Sequence, residues 1–212
     1  MDTNRARADD RNVYIVIPAF NQEESISAVV RSLISEWPNV VVVDDGSSDE
    51  TGQAAAAAGA VLLRHPINRG QGAALQTGIT YSLLRGAAFV VTFDGDGQHR
   101  ASDVGVLLQP LFKNEADAVL GSRFLGSTEG LPLHRRIILK TAVAFTRISS
   151  GLAVTDTHNG LRALNRSAAE KLHVRLDRMA HASEVLDQIR MHTMRVREVP
   201  VHIRYTSDSL KK

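Results

Sequence analysis

The chain has 212 residues, 43% of them apolar, and carries 25 Lys and Arg against 23 Asp and Glu for a formal net charge of +2. That size suits one domain with a core large enough for a sheet covered on both faces, and the balanced charge argues against a general nucleic-acid binder, so no nucleic-acid partner is expected. Cysteine is absent, which excludes disulfides and thiolate metal sites. The opening "MDTNRARADD" is polar and leads into no signal-peptide core, and no run reaches the length of a membrane span. Residues 1–12 are expected to be a flexible segment, and the protein to be cytoplasmic with at most a peripheral contact at the cytoplasmic face of a membrane.

"VYIVIPAF" reads as a buried strand, and "NQEES" opens an apolar pattern through Ile26, Val29, Val30 and Leu33 that predicts a helix. "NVVVVDDGSSDET" predicts a second strand and a turn in which Ser47, Ser48 and Asp49 can cap an Ala-rich helix ending at Gly59. "AVLLRH" predicts a short third strand, "NRGQGAALQTGITYSLLRG" a Gly-rich turn and helix, and "AAFVVTFD" a fourth strand. A helix from Ser102 to Phe112 and a strand over "DAVLGSRF" follow. Beyond Arg123, "FLGSTEGLPLHRR" reads as a loop and "IILKTAVAFTRISSGL" as an amphipathic helix in a segment carrying Arg136, Lys140 and Arg147. "DTHNGLRALNR" predicts a polar turn feeding a short strand or helix, "AHASEVLDQIRMHT" a helix, and "VREVPVHIRY" an edge strand interrupted by Pro200.

Strands separated repeatedly by helices, without period-2 alternation, predict an α/β fold with a mostly parallel sheet and helices on both faces. Ligands of such sheets gather beyond the carboxyl ends of the strands. "PAFNQ", "DDGSSD", "DGDGQH" and "GSRF" all stand at such ends, so one cleft is expected to collect them.

"FVVTFDGDGQH" carries the sharpest signal. Asp94 and Asp96 repel each other unless a cation lies between them. Gln98 adds a neutral oxygen and His99 an imidazole. An oxygen-rich set suits Mg²⁺ or Mn²⁺ shared with substrate phosphates. Asp44 and Asp45 stand where an acidic side chain accepts hydrogen bonds from ribose hydroxyls or a base N–H; capping explains Ser48 and Asp49 but leaves this acidic pair unaccounted for. "PAFNQEES" is no G-x-G-x-x-G fingerprint, and "RGQGAALQTG" lacks the Lys-Ser/Thr ending of a P-loop. Phosphate charge is left to a cation with Arg69 or Arg123.

Read together, "IPAFNQEESI", "VVVVDDGSSDET", "HPINRGQGAALQTGI", "FDGDGQH", "GSRF", "THNGLRALNR" and "VHIRYTSDS" resemble the family 2 glycosyltransferases of the GT-A fold. The nearest branch is similar to dolichyl-phosphate mannose synthases and bacterial polyprenyl-phosphate sugar transferases. The resemblance implies one GT-A domain over residues 13–208, with a nucleotide-sugar half at 13–123, an acceptor half at 124–208 and a tail at 209–212. It places Pro18, Phe20 and Gln22 (where the family usually has Glu) in the nucleotide pocket, with Glu23 and Glu24 beside them. It makes Asp45 the base or ribose contact beside Asp44, and Asp94, Asp96 and Gln98 the holders of Mg²⁺ or Mn²⁺. Arg123 is implied to meet the diphosphate, Arg135 or Arg136 the acceptor phosphate, and Arg204 or Lys211 to supply a late basic group. Asp156, His158 and Asn159 fall in the acceptor-side turn.

The implied activity is inverting, metal-dependent transfer of a hexose from a nucleoside-diphosphate sugar to a polyprenyl phosphate. A phosphate oxygen attacks without a strong base, whereas a saccharide hydroxyl, the alternative acceptor, needs one, and Asp156 is the candidate. Lipid-linked members often continue into transmembrane helices that residues 1–212 do not encode, and the basic stretch from Arg135 to Arg147 offers a peripheral route to a lipid phosphate. Two other classes compete: a sugar-1-phosphate nucleotidylyltransferase, which wants a Gly-rich basic segment after the first strand, and a nucleotide-sugar-binding protein without turnover.

Overall fold

The computed structural model describes residues 12–129, 154–157, 159–176 and 180–205. Thirteen elements follow in order: β1 (Val13–Ala19), α1 (Glu23–Ile34), β2 (Asn39–Asp44), α2 (Thr51–Ala57), β3 (Val61–Arg64), α3 (Gln71–Leu84), β4 (Phe89–Thr92), α4 (Asp103–Phe112), β5 (Ala118–Glu129), β6 (Arg162–Asn165), α5 (Arg166–Lys171), α6 (Ala180–Met191) and β7 (Val196–Arg204). The seven strands form one sheet in the order β3-β2-β1-β4-β6-β5-β7. Pairing is parallel except around β6, which runs antiparallel to both β4 and β5.

The strands are apolar throughout because each face has its own helical layer. Val13, Ile15 and Ile17 of β1 pack with Ile26, Val30 and Leu33 of α1 and with Val104, Leu107 and Leu108 of α4. Val16, one step out of phase, packs on the opposite face with Leu75 and Ile79 of α3 and Val185, Leu186 and Ile189 of α6. Full burial of each such side chain contributes about 1.5–3 kcal/mol. The N-cap of α2 is Glu50, whose side chain makes no cap hydrogen bond; Asp49, one residue earlier, accepts the Thr51 N–H at 3.0 Å.

Two expectations are corrected. The stretch from Phe124 to Glu129 is not loop: β5 continues to Glu129, stepping out of register between Ser122 and Ser127 and rejoining β7 at His202, Ile203 and Arg204. Gly126 permits this crossing, since a Cβ there would lie 2.1 Å from the Val201 carbonyl oxygen. β7 is also not interrupted at Pro200, which pairs opposite Ser122. The strand does lie at the sheet edge, where proline's missing N–H leaves no broken ladder bond. "RALN" is strand, and α5 begins directly after it, with the Asn165 side chain accepting the Ala168 N–H at 2.8 Å. No helix among the described residues is long and apolar enough to cross a membrane.

Candidate active site

A cavity of about 500 Å³ opens above the carboxyl ends of β1, β2 and β4. β1 contributes Pro18, Ala19 and Phe20 with Gln22 beyond them, β2 contributes Asp45, and β4 contributes Asp94, Gly95 and Asp96. Phe20 is 44% exposed, an aromatic ring left at the surface. The far wall comes from Asn159, Gly160, Arg162, His181 and Ala182, and Asn68, Gly70 and Gln71 close the side.

Asp45 is locked in place. Its Oδ1 lies 2.6 Å from His65 Nδ1 and accepts the Arg69 N–H at 3.0 Å, while Oδ2 accepts the Gly70 N–H at 2.7 Å. His65 is held from behind by Thr77 Oγ1 at 2.9 Å. Asp44 lies outside this cavity. It packs against α2, accepts the Ser47 N–H at 2.9 Å and pairs with Arg64 Nε at 3.2 Å, in ion-pair range without hydrogen-bond alignment. Successive side chains at a strand end point to opposite faces, which separates the two acids.

Asp94 sits at the cavity floor. His99 Nε2 lies 3.0 Å from its Oδ2, and since a carboxylate only accepts, that nitrogen carries the proton. Gln71 Nε2 approaches Oδ1 at 3.5 Å. Burial works to raise the Asp94 pKa, but the His99 hydrogen bond and the charges of His99, Arg162 and His181 outweigh it, so the carboxyl is held below its ordinary value. Gly160 stands against this group: a Cβ there would lie 2.4 Å from both carboxylate oxygens. Asp96 accepts the Gln98 N–H at 3.0 Å and Gln98 Nε2 at 2.7 Å, so the Gln98 amide nitrogen faces Asp96 and Gln98 lies outside the cavity lining.

"GSRF" does not join the cavity. Because β6 is inserted between β4 and β5, with Arg162 paired opposite both Thr92 and Leu120, the end of β5 is two strands away from Asp94. Arg123 instead bonds Asp156 through Nε at 2.6 Å and its own N–H at 3.0 Å, and Tyr205 Oη through Nη1 at 2.7 Å. Burial opposes the Arg123 charge, but Asp156 and Tyr205 more than restore it and raise its pKa. Asp156 is buried in this pair and likewise stands outside the cavity lining. Arg69 lines a separate surface groove with Arg175. Arg204 is exposed on β7, its N–H donating to the Gln98 carbonyl at 3.0 Å. Arg135, Arg136, Lys140, Arg147, His158 and Lys211 lie outside the described residues.

Arg162 and His181 are the cavity residues the sequence reading passed over. Arg162 had a signal: it is a charged residue between Leu161, Ala163 and Leu164 in an otherwise apolar strand, and arginine is rarely buried without a task. Burial lowers its pKa to about 10 against the opposing pull of Asp94 and Asp156. His181 had none, because a histidine at the start of a helix reads as an ordinary surface residue.

Among the described residues no group of three or more His, Asp or Glu side chains is arranged to hold a metal on its own. Two carboxylates facing one cavity still fit a hard cation that takes its other oxygens from substrate phosphates and water. The donor set therefore suits Mg²⁺ or Mn²⁺ shared with a diphosphate, and suits zinc poorly.

The sequence profile of "Glycosyl transferase family 2" matches residues 14–173. The UDP-N-acetylglucosamine–dolichyl-phosphate N-acetylglucosaminyltransferase of Methanococcus voltae is 31% identical, the match covering 96% of this chain and 90% of that protein. The polyprenol monophosphomannose synthase of Mycolicibacterium smegmatis is 33% identical over 74% of this chain and 63% of that one. Among solved structures, glucosyl-3-phosphoglycerate synthase of Mycobacterium tuberculosis in complex with Mn²⁺ and UDP-glucose superposes with a TM-score of 0.74 at 21% identity, covering 100% of this chain and 78% of that one. The sheet order, the acidic strand ends and these matches agree: the chain belongs to glycosyltransferase family 2 and has the GT-A fold of its nucleotide-sugar-dependent enzymes.

Proposed function

We propose that this chain transfers a hexose, with inversion, from a nucleoside-diphosphate sugar to the phosphate of a polyprenyl lipid. The observation that carries this reading is a single cavity with Asp45 in one wall and Asp94 and Asp96 in another, matched to strands β2 and β4. Asp45, held rigid by His65 and two backbone N–H groups, presents a fixed acceptor to the nucleoside. Pro18 and Phe20 offer an apolar surface to the base, with Gln22 at its edge. Asp94 and Asp96 would hold the divalent cation, which when bound neutralises the diphosphate and stabilises the departing nucleotide. His99 keeps Asp94 ionised and Gln98 orients Asp96 from behind.

An acceptor phosphate oxygen is already anionic and attacks the anomeric carbon from the face opposite the leaving diphosphate without a strong base. The placement of Asp156 supports a phosphate acceptor over a hydroxyl: the acid that would serve as base is committed to Arg123, outside the cavity lining. The names of the two relatives, a dolichyl-phosphate N-acetylglucosaminyltransferase and a polyprenol monophosphomannose synthase, support the same acceptor. Residues 13–123 then form the donor half and 124–208 the acceptor half, with the basic stretch from Arg135 to Arg147 meeting the lipid phosphate at the cytoplasmic face of a membrane.

The test is transfer from labelled UDP- and GDP-hexoses, with Mn²⁺, to a short polyprenyl phosphate or to a panel of soluble saccharides, the product anomer read by NMR. Transfer to the lipid phosphate with inverted configuration is expected. Robust transfer to a saccharide with none to the lipid would overturn the acceptor, and binding without any turnover would overturn the enzyme.

A further inference from the structure

Asn159, which lines the cavity, carries a buried hydrogen-bond donor without a partner among the described residues. Asn159 is 3% exposed, and its Oδ1 accepts the Leu161 N–H at 3.0 Å. That bond fixes the amide, because flipping it would set an NH₂ group against an N–H. Nδ2 therefore points the other way, is buried, and has no hydrogen-bond partner among the described residues. An orphaned buried donor costs about 1–3 kcal/mol, and native structures rarely keep one without a use.

Arg162 stands beside it, 7% exposed and lining the same cavity. Its Nε donates to the Asn159 carbonyl at 3.1 Å, and its Nη2 faces the carbonyls of Thr157 at 3.4 Å and Ala182 at 3.5 Å. Among the described residues every hydrogen bond of this guanidinium goes to main-chain oxygen and none to a carboxylate. Asp94 and Asp156 act on it through space but are bonded to His99 and Arg123. A buried cation without a bonded anion is expensive unless a ligand supplies one.

The amide nitrogen and the guanidinium can only donate. A sugar hydroxyl would satisfy the amide and leave the buried charge of Arg162 unanswered, whereas an anionic oxygen satisfies both. Resting on the nucleotide-sugar reading, we propose that Asn159 and Arg162 form a seat for a phosphate oxygen of the substrate, either of the donor diphosphate or of the acceptor monoester. The seat lies beside the Asp94 carboxylate, which stands against Gly160, and its donors are side chains of the protein itself.

Asn159→Asp tests it with little disturbance to the fold, since the carboxylate keeps the acceptor for Leu161 but replaces the free donor with a negative charge. Calorimetry would titrate UDP, GDP and their glucose and mannose conjugates, in Mn²⁺, into wild type and variant, alongside KM for a short polyprenyl phosphate. A loss of about tenfold or more is expected from one charge-assisted bond turned repulsive. If the free diphosphate and its sugar conjugate weaken together, the seat holds the donor phosphate. If donor affinity is kept and KM for the lipid phosphate rises about tenfold, it holds the acceptor. A loss confined to the sugar conjugate would overturn the proposal in favour of a hydroxyl contact, and no change in either quantity would overturn it outright. Should Asn159→Asp melt early, Asn159→Ala decides by the same readouts, with a loss of about threefold expected. A wild type that binds no nucleotide would fell the parent reading and this one with it; a wild type that binds nucleotide and matches the variant in both donor affinity and KM for the lipid phosphate would fell this one alone.

Discussion

Gly160→Ala is a one-carbon change with a consequence that can be worked from geometry. The added Cβ would lie 2.4 Å from both oxygens of Asp94 and 2.7 Å from its carboxyl carbon, so the carboxylate must retreat by roughly 1 Å to reach ordinary contact. Retreat breaks its approach to His99 at 3.0 Å and Gln71 at 3.5 Å. Overpacking of this kind costs about 1–3 kcal/mol in stability, a fall of about 2–12 °C in melting temperature for a chain of this size. The functional cost is larger, since misplacing a group at the reacting centre by about 1 Å costs on the order of a hundredfold. Initial transfer rates and a thermal melt on the same sample separate the two effects. A folded variant with kcat/KM down about a hundredfold is expected. A folded variant within threefold of wild type would refute the placement of Asp94 at the reacting centre.

Three other perturbations follow from the same contacts. His99→Ala removes the principal interaction lowering the Asp94 pKa and leaves burial to raise it; an ionised carboxylate is lost as pH falls through its pKa, so the acid limb of the kcat/KM profile should move to higher pH, with His99→Gln closer to wild type, and superimposable profiles would contradict this. Asp156→Ala strands the buried Arg123 charge and should cost about 3–5 kcal/mol in denaturant unfolding, with the Asp156→Ala/Arg123→Ala double variant recovering part of it. Asp117, which Arg195 holds down to about 2 from an ordinary 3.8, adds stability that is complete above pH 3.8 and lost as pH falls toward 2. Asp117→Asn should therefore lose about 0.2–1 kcal/mol at pH 7, the range of an ion pair whose arginine is half-exposed, and the gap should close as pH falls through about 2.

Much of the fold is legible in the chain because β1, β2 and β4 are apolar on both faces and end abruptly in polar clusters. The same pattern led to Asp45, Asp94 and Asp96, whose position at the ends of apolar strands has no other ready explanation. β6 was not legible as an antiparallel insertion, since four residues of strand do not disclose their direction. That insertion is what carries Arg123 away from Asp94 and puts Arg162 in between. The end of β5 was misread because Gly126, Ser127 and Thr128 have turn chemistry, and only their pairing with β7 makes them strand. Asp44 and Asp45 looked like a pair in one dimension, and strand geometry divides them. Asn159 fell in a turn already marked as acceptor-side, but its orphaned amide is visible only once the Leu161 N–H has claimed the other end.

The most direct measurement is calorimetric titration of UDP- and GDP-sugars into wild type and Asp96→Ala, each in Mn²⁺ and in chelator. Binding of one nucleotide class is expected, weakened at least about tenfold by the substitution and again by removal of the cation, a change of roughly 1.4 kcal/mol or more. Equal affinity in all four conditions would show that the strand-end carboxylates do not hold the donor through a divalent ion.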